Sequence, residues 1–406
     1  MRITLAPLRD FLQRESISGV LILLASAAGL LIANSPLSDE YFEVLAYHFS
    51  IGSGALSIDL SILKVINYVL MTIFFFVVGL EIKREITSGH LASRKAAMLP
   101  LLAAIGGMVV PALIYLLIAG REEASGWGVP VATDIALAVG LLTMVGTSAT
   151  TALRSFLLAL AVIDDIGAIL IRAILIIAFV YSSGLKAVWI PIAALSVLAI
   201  VVAKRWSITF MPAYIFVGIL LWFSLYKVGV HPTLAGVILG MLTPNIAHKN
   251  SGLEDSEDGS VSVIEWLEHK CHPYSTFLIV PLFAFANTGV VINQSSLSAA
   301  IASVVAWGIF FGLVLGKPIG ILIASILAKR AKIAVLPTGA TAKDILATGS
   351  AAGIGFTVAI FIAKLAFDDV ARQELAVMAV IAASVVSAVL SLLLFKLFSK
   401  SHLPLS

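Results

Sequence analysis

Charge is scarce in this chain: only 12% of its 406 residues are Asp, Glu, Lys or Arg, about half the share of an ordinary globular domain. The basic residues form no stripe or block and the formal net charge is only +3, so nucleic-acid binding has no support. Cysteine is scarcer still. Cys271 stands alone, which excludes an intrachain disulfide and a cysteine-cluster metal site. No aspartate sits in a Gly-x-Gly-Asp context, the setting an intramembrane aspartyl protease needs for one of its paired carboxylates.

What the chain does have is apolar surface, at 60% of residues. A hydrocarbon core about 30 Å thick is crossed by roughly 20 apolar residues in a helix, and such stretches recur almost to the C-terminus. Apolar runs between polar breaks predict spans at 12–33, 64–82, 96–118, 127–145, 152–180, 187–203, 210–225, 228–243, 273–292, 299–327, 345–366 and 375–398. The chain therefore reads as one all-α polytopic unit, 1–406, of about twelve transmembrane helices. The first run comes after Arg2, Arg9 and Arg14 but is longer than a signal-peptide h-region, and many spans lie beyond it, so it reads as a retained helix.

With the N-terminus in the cytoplasm, Lys83, Arg84, Arg94, Lys95, Arg154, Lys204 and Arg205 fall on that side with the three N-terminal arginines. So do Lys249, Lys270, Lys329, Arg330, Lys332, Lys343, Lys396 and Lys400, whereas the opposite loops keep Lys64, Arg121, Lys186, Lys227 and Arg372. That bias orients the chain with both termini cytoplasmic.

Two segments are neither helix nor plain loop. In 46–60, Phe49 and Ile51 precede Gly52-Ser53-Gly54, and Leu56, Ile58 and Leu60 come after it, which predicts an extracytoplasmic β-hairpin. A lone hairpin is marginally stable. It therefore either pairs edge to edge with a second subunit, making a homodimer, or packs on its own helices. The acidic run Glu254, Asp255, Glu257 and Asp258 reads as a solvated cytoplasmic loop.

Ionisable groups inside the spans are the informative residues, since each costs roughly 2.5–3.5 kcal/mol at a helix centre. They are Asp134, Asp164, Asp165, Arg172, Lys317 and Lys364. Asp164 and Asp165 diverge by about 100° around their helix. One can face a watery cavity while the other meets a cation on a facing helix, for which Lys317 is the candidate. A pair that merely fixes helix packing is the alternative, but three mid-membrane carboxylates exceed what such a pair needs. Pro130 breaks or kinks the helix before Asp134, and Gly349, Gly353 and Gly355 mark a second weak point. Paired interrupted helices point to a transporter's midplane site, although glycine in a membrane helix is also a close-packing device. A poorly solvated carboxylate holds its proton to higher pH, and oxygen ligands suit a hard cation. Mutually exclusive occupancy by proton and cation would couple the two as obligatory exchange.

The chain resembles the NhaA-type bacterial sodium/proton antiporters over nearly its whole length. The carriers are 74–85 (FFFVVGLEIKRE), 132–136 (ATDIA), 163–168 (IDDIGA), 229–236 (GVHPTLAG), 267–269 (LEH), 281–287 (PLFAFAN), 316–318 (GKP) and 353–357 (GIGFT). The resemblance implies inverted three-helix repeats with core helices near 96–180 and 299–398 and panel helices near 12–82 and 187–292. It also implies residence in a bacterial cytoplasmic membrane and no cofactor. On it, Thr133, Asp134 and Asp165 match the sodium site, and Asp164 and Lys317 match a pair that breaks and forms during transport. Two protons against one sodium, or lithium, would make the exchange electrogenic and serve sodium and pH homeostasis. Glu81, Arg84, Glu85, Glu268, His269 and His272 match a cytoplasmic pH-sensing cluster, and histidine titrates near neutrality. The simpler reading of Lys83 and Arg84 is a positive flank. His231 lies in a matching motif and reads as a packing residue.

Two departures from the family stand out. Tyr68 occupies a place where well-known members carry an acidic residue, so any part that carboxylate plays in ion access is missing here. Arg172 lies seven positions after Asp165, about 20° off the same helix face, and either forms an added ion pair or snorkels to the outer interface. A second functional reading, a sodium-coupled solute symporter of related fold, would need an organic substrate pocket.

Overall fold

The computed structural model describes residues 6–89, 93–145, 151–182, 188–206, 211–245 and 262–399. The acidic run at 254–258, Arg2, Lys186, Lys249 and Lys400 lie outside the described residues, as do the side chains of Arg9, Arg14, Arg94, Lys95 and Arg172.

Helices α1 (Ala6–Ala33) and α2 (Ser38–Ala46) lead into strands β1 (His48–Ile51) and β2 (Ile58–Ser61). Then come α3 (Ile62–Lys64), α4 (Met71–Thr87), α5 (Arg94–Ala119), α6 (Ile135–Met144) and α7 (Thr151–Ser182). Next are α8 (Trp189–Arg205), α9 (Met211–Val228), α10 (Leu234–Leu242), α11 (Val263–Tyr274) and α12 (Val280–Asn287). Last are α13 (Gln294–Ala302), α14 (Val304–Phe311), α15 (Lys317–Arg330), α16 (Ala342–Ala352), α17 (Phe356–Ala366) and α18 (Val370–Ser399). Among the described residues, Ile62–Thr87, Ala96–Ala119, Ala124–Met144, Val304–Arg330 and Val370–Phe398 are each long and apolar enough to cross a bilayer, and α16 and α17 are so together, bent by 53° at the break between them.

The chain divides into two compact units, one of Met1–Leu37, His90–Ala168 and Asn287–Ser406, the other of Ser38–Gly89 and Ile169–Ala286. In the first, α5 packs on α15 through Gly106 and Gly320, where a Cβ on either would overlap the other's carbonyl oxygen. Backbones approach this closely only where side chains are absent. Helix α16 packs on both α15 and α18, and α1 on α6. Ala103, Leu142, Leu157, Ile345 and Ala347 are fully buried in the core between them.

The second unit packs α4 on α10, α8 on α9 and α11 on α4. Gly236 and Gly240 admit the backbone of α4 at Thr72 and Phe76. β1 and β2 pair antiparallel, His48 opposite Ser61 and Ile51 opposite Ile58. The expected hairpin is present, but Leu56 falls in its connecting turn instead of continuing the alternation, and all four β1 residues are exposed.

Several spans are more segmented than their hydropathy. The run 228–243 holds only the short helix α10, because Gly229 adopts φ +86° and Pro232 opens the turn that leads into it. The run 299–327 is divided at Ser303 and again by a π-helical turn at Gly312–Gly316, directly before Lys317. Such a turn inserts a residue into the helical repeat and so re-aims the side chains of the next turn.

Candidate functional site

The site is built where helices stop inside the first unit. After the 3-10 segment Ala124–Val131 the backbone runs extended through Ala132, and Asp134 caps α6. Pro130 explains the stop, since it removes a backbone donor. Across from it, α16 ends at Ala352, and Gly353, Ile354 and Gly355 separate it from α17. Broken helices leave carbonyls at one end and N–H groups at the other without partners, and in a buried place each needs one.

Asp134 supplies acceptors to two helix N-termini. Its Oδ1 accepts from Leu137 N at 3.1 Å. Its Oδ2 accepts from Thr357 N at 3.1 Å and from Thr357 Oγ1 at 2.5 Å. Its own N–H donates to Ile354 O at 2.7 Å. The carboxylate charge thus lies against the positive ends of α6 and α17, where a helix dipole favours it. The carbonyl ends are met differently. Lys317 Nζ donates to Val131 O, and Thr133 Oγ1 lies 3.1 Å from both Ala352 O and Asp164 Oδ2. With one hydroxyl hydrogen, Thr133 serves one acceptor at a time.

Lys317 also lies 2.8 Å from Asp164 Oδ2, and neither side chain meets solvent. Two ions so placed are kept by each other, and taking one away leaves an unpaired charge costing about 3–5 kcal/mol. Among the described residues, Asp164 Oδ1 is buried without a hydrogen-bond partner. Asp165, the next residue, is half-buried where Asp164 is fully enclosed. Thr133, Asp134, Asp164 and Lys317 are therefore brought together, with Asp165 beside them on α7. Thr357 and Ser384 complete the arrangement; Thr357 closes the 353–357 motif without a role attached to it, and Ser384 does not stand out in the sequence. Ser384 Oγ accepts from Phe356 N at 3.2 Å, taking up another donor freed at the break.

A second constellation lies in the second unit, where α11 packs on α4. Arg84 Nη1 meets Glu268 Oε1 at 2.5 Å, and Arg84 Nη2 lies 3.4 Å from Glu85 Oε1. Glu85 and Glu268 are buried. Burial pushes the Glu268 carboxyl up to about 7; Arg84 pulls it back, Glu81 raises it, His272 lowers it and Glu85 raises it. His272 Nδ1 lies 3.4 Å from Thr276 Oγ1, and His269 is exposed.

Apolar helices of bilayer length, together with a buried lysine–aspartate pair and a second aspartate at a helix break, define a multi-pass membrane ion carrier. The profile of the family described as Na+/H+ antiporter 1 matches residues 9–395. The chain is 40% identical over 393 residues to the Na(+)/H(+) antiporter NhaA 2 of Clostridium beijerinckii, covering 97% of this chain and 94% of that one. It is 42% identical over 387 residues to the Na(+)/H(+) antiporter NhaA of Shewanella loihica, covering 94% and 95%. With the NhaA of Janthinobacterium sp. (strain Marseille) the identity is 43%, covering 95% and 91%. The chain belongs to this NhaA family and is a sodium/proton antiporter.

Proposed function

We propose that the chain extrudes cytoplasmic sodium, or lithium, against two external protons, and that Asp164 and Asp165 carry the exchange. The observation that supports this most is the enclosed Asp164–Lys317 pair, with one Asp164 oxygen unpartnered and Asp165 adjacent. A sodium ion entering beside Asp165 competes with Lys317 for the Asp164 carboxylate. Asp165 gives up its proton as the central ligand, and Thr133 offers its oxygen once its hydrogen turns to Ala352 O. Asp134 contributes its negative charge, with its oxygens already committed to Leu137 and Thr357. The second proton leaves Asp164 or Lys317. Exchange of two charges for one is electrogenic and draws on the membrane potential, about 2.3 kcal/mol per charge per 100 mV.

The wider frame belongs to the same proposal: about twelve spans in inverted repeats, both termini on the cytoplasmic side of a bacterial inner membrane, and transport carried by the unit that holds the broken helices. The hairpin at 46–60 pairs two subunits into a homodimer. The Glu81, Arg84, Glu85, Glu268, His269 and His272 cluster gates activity, with Glu268 its titrating centre.

Proton release on sodium addition tests the exchange directly. Purified protein in weakly buffered detergent should acidify the medium on adding sodium but not potassium, by two protons per sodium bound, and Asp165→Asn should abolish it. Sodium binding without proton release, or binding that requires an organic solute, would point to a symporter instead.

A further inference from the structure

Lys364 is the charged residue of α17, half-buried in its last turn. It lies seven positions after Thr357, which places it about 20° off the same face and about 10 Å further along the axis. Thr357 is the residue that holds Asp134. A lysine near a helix C-terminus often serves the terminal carbonyls, yet here Gln373 Nε2 donates to Phe367 O at 2.6 Å and Lys364 O at 3.4 Å. The carbonyl end of α17 is already served by a neutral amide.

The charges around Lys364 can be named from each element packed on α17. From α18, Glu374 attracts its ammonium, and Arg372 is paired to Glu123 at 2.9 Å. Asp368 and Asp369 in the connecting turn are exposed, and Asp369 Oδ2 accepts from Arg372 N. The 3-10 segment Ala124–Val131 contributes no charged side chain. On the Asp134 side, Lys317 is engaged with Asp164. On the proposed orientation, Lys364 is thus a positive charge on the outward half of the second broken helix, opposed chiefly by Glu374.

We propose that Lys364 sets the affinity of the site for sodium, weakening the hold on the ion, and that Glu374 moderates this by partial neutralisation. An exporter must let sodium go into a sodium-rich exterior, and a fixed positive charge on the outward side favours that release. The inference rests on the proposed sodium site at Asp164 and Asp165. Because the α7 carboxylates lie beyond Asp134, the separation is on the order of 10–15 Å, and at an effective dielectric of about 20 a unit charge there changes a cation's affinity by roughly six- to sixteenfold, which Glu374 reduces.

The test is a sodium titration of proton-gradient collapse in proteoliposomes at one fixed pH, for wild type, Lys364→Gln, Lys364→Arg, Glu374→Gln and Asp165→Asn. Half-saturating sodium should fall about three- to tenfold in Lys364→Gln, rise in Glu374→Gln and stay near wild type in Lys364→Arg. Glu374 is exposed, so its variant keeps the test open even if Lys364→Gln inserts poorly. Shifts of the same sign in Lys364→Gln and Glu374→Gln, or half-saturation unchanged in either, would overturn the inference. A wild type without a sodium response, or an Asp165→Asn that keeps one, would instead overturn the site on which it rests.

Discussion

Three donors converge on the Asp134 carboxylate, and two of them come from Thr357. A hydrogen bond to a charged group is worth about 1.5–3 kcal/mol. Thr357→Val should therefore slow transport by roughly ten- to a hundredfold at subsaturating sodium, with Thr357→Ser close to wild type; initial rates of dye dequenching compare them. Lys317 makes a different prediction, because its partner is sealed from water. Lys317→Ala should lower the melting temperature in detergent by the equivalent of about 3–5 kcal/mol, and Lys317→Ala combined with Asp164→Asn should recover much of that loss. Recovery is expected because the double variant buries no unpaired charge.

At the scale of the element, the sequence displays the breaks but not their partners. Pro130 and the Gly353–Gly355 pair are visible because they interrupt apolar runs, and the ionisable residues because lipid penalises them. Ser384 carries no such mark, and Thr357 stands in the 353–357 motif with no role attached to it. Serine and threonine are ordinary in membrane helices, and Thr357 becomes informative only when residues 223 positions apart in the chain meet. The π-helical turn before Lys317 and the shortened α10 are hidden for a related reason, since hydropathy averages over local backbone geometry. The close helix crossings can be tested by overfilling one. Gly106→Val should drive a side chain into the backbone of α15 at Gly320, destabilising the first unit by at least about 1–3 kcal/mol and reducing folded yield measured by size-exclusion chromatography.

For the whole molecule, the proposed pH gate centres on Glu268 in the second unit. Its carboxyl, pushed up to about 7 from an ordinary 4.5, keeps a proton in the folded protein that the unfolded chain has already lost between those values. Stability from this group is therefore full below about 4.5 and lost as pH rises through about 7. At higher pH the cluster gains a negative charge facing Arg84. Transport should rise between pH 6.5 and 8.5, and Glu268→Gln should flatten the rise; a wild-type profile level across that range would exclude the cluster as the gate. The exposed β1 strand offers an unpaired edge. Shortening the hairpin should leave a monomer in detergent that still exchanges sodium for protons, as read by light scattering and dye dequenching together.

On the proposed mechanism, exchange depends on sodium and protons competing for the α7 carboxylates. The most direct test of that competition is sodium-induced collapse of a preformed proton gradient in proteoliposomes at pH 8, comparing wild type with Asp165→Asn. Competition predicts dequenching by sodium, not potassium, in the wild type and none in the variant. A correctly inserted variant that collapses the gradient as fast as the wild type would contradict it.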